Sequence, residues 1–71
     1  MFRIGGIEKD RYVLMKQYQT FIEFWIRKDG TLTCRFSISF HELPIEEQII
    51  AQLTMHNFYK EKDQLKVAPN S

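Results

Sequence analysis

Apolar and polar positions between Phe21 and Phe40 fall into two β-rich runs separated by Lys28-Asp29-Gly30. The first is Phe21-Ile22-Glu23-Phe24-Trp25-Ile26-Arg27, and the second runs from Thr31 to Phe40. In the second, Leu32, Cys34, Phe36, Ile38 and Phe40 alternate with polar residues. A period of two marks a half-buried strand.

Side-chain matching selects the hairpin register. A two-residue Asp29-Gly30 loop would set Glu23 against Phe36 and Phe24 against Arg35. A three-residue loop has a type I turn followed by Gly30 in the left-handed region. It pairs Ile26 with Leu32, Phe24 with Cys34 and Ile22 with Phe36. On the opposite side it pairs Trp25 with Thr33, Glu23 with Arg35 and Phe21 with Ser37. Only this register keeps each face uniform, because a one-residue slip exchanges the faces. The pattern therefore predicts a hairpin 21–27/31–40. The Glu23–Arg35 pair adds about 0.2–1 kcal/mol.

Downstream, Pro44 opens a stretch with Glu42, Glu46 and Glu47 near its start and Lys60 and Lys62 near its end. Pro is tolerated in a first helical turn, and the charges complement the helix dipole. This predicts a helix over about 43–62. Neither Leu43 nor His41 offers it a strong cap. Ile45, Ile49 and Leu53 recur every four residues and are expected to cover the apolar hairpin face, with His56 one turn later on that stripe. Ala51, Met55 and Phe58 lie far round the cylinder and are left as a second apolar surface.

Upstream, Tyr12-Val13-Leu14-Met15-Lys16 reads as a strand, with a helix over 8–18 as its rival. Phe2-Arg3-Ile4 adds an edge strand before Gly5-Gly6, a pair expected to form a turn or bulge. Residues 63–71 are expected to fray, since Pro69 bars helix continuation. The expected fold is α+β: an antiparallel meander of three to four strands with one C-terminal helix packed on one face. Residues 1–62 form a single small domain, and 63–71 a tail.

Size bounds what such a domain can do. Seventy-one residues, 44% hydrophobic and 14% aromatic, describe a globular chain. A domain this short buries only about 60% of the surface its unfolded chain exposes. Small domains usually add disulfides, a metal or a partner chain. One cysteine excludes an internal disulfide and suits a reducing compartment. No apolar run approaches the ~18 residues of a membrane span. The first residues do not read as a signal peptide. A cytoplasmic location without membrane association is expected.

Net charge is +1, whereas a protein that binds along phosphates carries a basic patch. The chain also lacks the chemistry of common enzymes. Zinc sites use close Cys or His pairs, but His41 and His56 are 15 residues apart. Cys34 lies on the strand face assigned to the core, where a thiol stays protonated and inert. Glu46 and Glu47 diverge by about 100° on a helix. Gly5-Gly6 alone is no phosphate-binding loop. No catalytic residue, metal or cofactor is expected.

Excess apolar surface is the remaining signal. If the helix covers one sheet face, Phe21 and Trp25 stand on the other, interleaved with Glu23, Arg27, Thr33 and Arg35. Aromatics with arginine are an interface composition. Three uses compete: contact with a protein or a second copy, stacking of single-stranded nucleic acid with help from Arg11, or cover by the N-terminal segment. The first is favoured, because Glu23 sits in the patch and the helix supplies Met55 and Phe58 as a second contact. The expected function is a non-enzymatic protein-binding module, a small regulator or inhibitor and potentially a homodimer. Its contacts would be Phe21, Trp25, Arg27, Arg35, Met55 and Phe58, with nucleic acid as the alternative partner.

Overall fold

The computed structural model describes residues 1–67. Strands β1 (Arg3–Glu8), β2 (Arg11–Lys16), β3 (Gln19–Ile26) and β4 (Leu32–Phe36) form one antiparallel sheet in the order β1-β2-β3-β4. A one-turn helix, α1 (Ile38–His41), follows, and helix α2 (Ile45–Val67) covers one sheet face. The arrangement is α+β, as the hydrophobic pattern predicts. Residues 8–18 take the strand alternative, and the N-terminal segment extends the sheet instead of folding over its open side. Gly5 and Gly6 lie inside β1, and the register shift expected near them falls between Gly6 and Glu8.

The β3–β4 hairpin has the three-residue loop and the side-chain register that face matching selects. Ile22 faces Phe36, Glu23 faces Arg35, Phe24 faces Cys34, Trp25 faces Thr33 and Ile26 faces Leu32. The Gly30 amide donates to the Arg27 carbonyl and the Arg27 amide to the Thr31 carbonyl, both at 2.9 Å. Gly30 has φ 89°, a conformation a β-branched residue resists. Asp29 accepts the Thr31 amide at 3.0 Å. Hydrogen bonding from Thr31, side chain first and then backbone, holds the Asp29 carboxyl below its ordinary pKa.

The second strand is shorter than its alternation suggests. It ends at Phe36, and Ile38 and Phe40 belong to α1. Ser37 makes the change: its amide still donates to the Phe21 carbonyl at 3.0 Å, while its hydroxyl accepts the Phe40 amide at 3.1 Å as an N-cap. Phe40 is buried with its ring centroid 4.7 Å from that of Phe36, and Ile38 is left exposed.

Pro44 precedes α2, and its carbonyl accepts the amides of Glu47 and Gln48 at 2.9 and 3.0 Å. The Gln48 side-chain amide donates back to the carbonyls of Leu43 and His41 at 3.0 and 3.3 Å, tying the first turn of α2 to the segment before it. The helix continues to Val67, past the expected end near 62. Of the tail expected over 63–71, residues 68–71 lie outside the described residues. Two ties fix α2 against the sheet. Lys16 Nζ sits 2.8 Å from Glu47 Oε1, and the Tyr59 hydroxyl donates to the Gly30 carbonyl at 2.7 Å. The second joins the helix directly to the hairpin turn.

The core comprises Leu14, Phe21, Ile22, Phe24 and Ile26 from the sheet, Phe40 from α1, and Ala51 and Met55 from α2. Tyr12 stacks on Phe24 at 5.5 Å and meets Phe58 edge-on at 4.9 Å. The helix thus presents the face opposite to the one the isoleucine stripe predicts. Ala51 and Met55 are buried, Phe58 is half-buried against the core, and Ile45, Ile49 and Leu53 are exposed. Ala51 is fully buried at the helix–sheet contact, a position with room for a small side chain.

Candidate interaction surfaces

One candidate surface is the open face of the sheet. Strand alternation and the observed registers bring Arg3, Arg11, Val13, Glu23, Trp25, Thr33 and Arg35 to it. Arg11 lies over the Trp25 ring, 5.0 Å from its centroid, and also contacts Glu8 at 3.3 Å. A guanidinium in that position gains cation–π attraction to the ring. Trp25 is half-buried, Arg27 and Arg35 are exposed, and Glu23 and Arg35 are cross-strand neighbours. A shallow hollow of about 130 Å³ lies beside them, lined by Thr20, Phe21, Glu23, Arg35 and Ser37.

Phe21 does not share this face as an exposed aromatic. Leu14 faces Ile22 whereas Met15 faces Thr20, so Phe21 is the extra residue of a β-bulge. A bulge re-aims the side chain it carries. Phe21 joins the core at 5% exposure and meets Phe2 edge-on at 5.7 Å. The expected Phe21–Trp25 patch is therefore reduced to Trp25 under Arg11. Stacking of successive bases needs successive rings, and that support for a nucleic-acid reading is gone.

Met55 and Phe58 also change place. Met55 is 6% exposed within the core, and Phe58 packs against Tyr12 and Phe24, with Lys62 Nζ 5.4 Å from its ring centroid. Met55 is thus taken up by the core, and Phe58 is left half-buried at the wall of a groove. Of the six expected contact residues, Trp25, Arg27 and Arg35 of the β3–β4 hairpin remain at a surface, Phe58 only at a groove wall, and Phe21 and Met55 are buried.

The residues that replace them are the stripe expected to be core. Ile45, Ile49, Ile50 and Leu53 are 67%, 52%, 53% and 55% exposed. At about 100° per residue, Leu53 stands nearly opposite the centre of Ala51, Met55 and Phe58. Four large aliphatic side chains within nine residues of one helix make a contiguous patch, unlike scattered surface apolars. Ile38 of α1 is exposed as well. The sequence did contain the signal, since two apolar stripes on one helix exceed what one sheet face covers, but burial decides which stripe is left exposed.

A third feature is a groove between β1 and α2. It consists of adjoining hollows of about 480 and 440 Å³ that share Phe2 and Thr54. Ile4, Ile50 and Phe58 line its apolar walls, and Lys16 and Glu47, already paired, close one end.

Among the described residues, no group of three or more His, Cys, Asp or Glu side chains could hold a metal ion. Burial pushes the Cys34 thiol above its ordinary pKa, which disfavours the nucleophilic thiolate. Among the described residues, no helix is long and apolar enough to cross a membrane. Comparison with protein-family models, curated proteins and solved structures finds no match to this chain.

Proposed function

We propose that this chain is a non-enzymatic protein-binding module, a small regulator that acts by contact through the outer face of α2. The observation that carries the reading is the exposed stripe Ile45, Ile49 and Leu53 on the side of α2 away from the core. Helices that bind partners present such i, i+4 anchors. Leaving them in water forgoes burial worth about 25 cal/mol per Å². Trp25, Arg27 and Arg35 lie on the other side of the molecule and form at most a separate contact. A cytoplasmic setting is part of this proposal and rests on the single cysteine.

The test compares a tagged wild-type chain with Ile49→Lys in an extract of host cells that also contains the untagged chain. Proteins retained by the wild type, whether other proteins or the untagged copy, are expected to be lost from the variant. Identical retention by both would remove α2 as the contact surface.

A further inference from the structure

The outer face of α2 has a charge pattern that selects its occupant. Glu46, Leu53 and Lys60 are spaced seven residues apart. Seven residues are nearly two turns, so Glu46 and Lys60 each lie within about 20° of Leu53 around the helix, on opposite sides of it. Glu46 and Lys60 then lie about 10.5 Å to either side of Leu53. The acidic residue stands toward the helix start and the basic one toward its end. The line is self-complementary when reversed.

We propose that the occupant of this face is a second copy of the same chain, packed with its α2 antiparallel and crossing at Leu53. The inference rests on the protein-binding reading above and names the partner. A two-fold axis at Leu53 sets each Glu46 opposite the Lys60 of the second copy, so both pairs form at once. Leu53 meets Leu53 on the axis. Ile49 and Ile50 on one side of the axis pack over the Asn57 and His56 side chains of the second copy, and Ile45 over the aliphatic stem of its Glu61. An isologous contact of this kind uses one patch twice and closes without leaving a sticky end. The antiparallel helix dipoles add to the fit.

The sheet edges are poorer sites for a second copy. The outer strand β1 carries Arg3 and Glu8 at its ends and an irregular register between Gly6 and Glu8, while β4 has only five residues with Arg35 among them. Short, charged and bulged edges resist strand addition. The Lys16–Glu47 pair closing the β1–α2 groove lies away from the Leu53 line, so it does not compete for Glu46 or Lys60.

Sedimentation equilibrium of the purified full chain between about 1 and about 100 μM, at low salt, tests the proposal. The wild type is expected to approach twice its 8.6 kDa chain mass with rising concentration. Ile49→Lys is expected to remain at 8.6 kDa throughout. Glu46→Lys alone and Lys60→Glu alone should each weaken dimerisation about tenfold, because like charges then face each other. The double variant, with both charges exchanged, should return to near wild-type affinity. A monomeric wild type, a dimer that survives Ile49→Lys, or a double variant no tighter than the singles would each overturn the proposal. A monomeric wild type that still loses another protein in extract on Ile49→Lys would remove the second copy alone. Identical retention in extract would instead remove the underlying reading.

Discussion

The two sides of α2 are both aliphatic, yet the fold uses only one. Inward stand Ala51 and Met55, buried, with Phe58 packed against Tyr12 and Phe24. Outward stand Ile45, Ile49 and Leu53, each more than half exposed. The inward residues include a small alanine and a flexible methionine, which permit close approach and fill irregular gaps. The outward residues are the bulkier and more regular set. A helix face that is apolar but carries none of the core's packing is the one the proposal assigns to a contact outside the fold. The difference separates residues that hold this chain together from residues available to hold something else.

Substitutions on the two sides should therefore differ in kind. The largest effect belongs inside. Met55→Ala should destabilise the monomer by about 2–5 kcal/mol, read by urea unfolding at a concentration below self-association. For 71 residues the total is only about 4–10 kcal/mol, so much of the fold is at stake. Ala51→Leu should cost about 1–3 kcal/mol by overpacking the helix–sheet contact. If either change were neutral, the inward face would not be core. Gly30→Val should cost about 1–3 kcal/mol in thermal or urea unfolding, because Gly30 has φ 89°. That change also strains the carbonyl that receives the Tyr59 hydroxyl.

Smaller effects sharpen the comparison. Tyr59→Phe removes the tie to Gly30 and should cost about 1 kcal/mol in the same unfolding assay. Ile49→Lys should change monomer stability by less than about 0.5 kcal/mol, since it alters an exposed position. The smallest effect concerns Asp29. Its folded pKa is lowered by Thr31, so its contribution is fully present above the ordinary carboxylate pKa. That contribution is lost as pH falls through the lowered folded value. Asp29→Ala should therefore narrow the stability difference from wild type as the solution is acidified, measured by unfolding at a series of acidic pH values.

How much was legible in the sequence follows the same division. The β3–β4 register could be read because both faces of both strands carry information: Glu23 and Arg35 agree with each other while Ile22, Phe24 and Ile26 agree with Phe36, Cys34 and Leu32. A slipped register would violate several pairs at once. The packed side of α2 could not be read, since two apolar stripes share one helical period and hydrophobicity favours the wrong one. What decides is the tertiary fit of Ala51, Met55 and Phe58 against Tyr12, Phe24 and their neighbours, which one helix's own sequence does not display. Phe21 escaped for a local reason. Alternation assigns it to the Trp25 face, but the bulge opposite Leu14 and Met15 turns it inward. The end of β4 was marked by Ser37, yet its capping role emerges only once Phe40 is seen folding back onto Phe36. Among the candidate contacts, Trp25, Arg27 and Arg35 stayed at the surface because they belong to the hairpin whose register was readable. Met55 and Phe58 moved inward with the helix face.

The melting temperature of wild type and Ile49→Lys as a function of protein concentration tests the central claim most directly. A partner that binds only the folded chain raises its apparent stability by mass action. The wild-type melting temperature should rise with concentration, that of Ile49→Lys should stay fixed, and the two should converge on dilution. A wild-type melting temperature independent of concentration, or a variant that rises in parallel with it, would contradict the assignment of the outer face of α2 as a self-association surface.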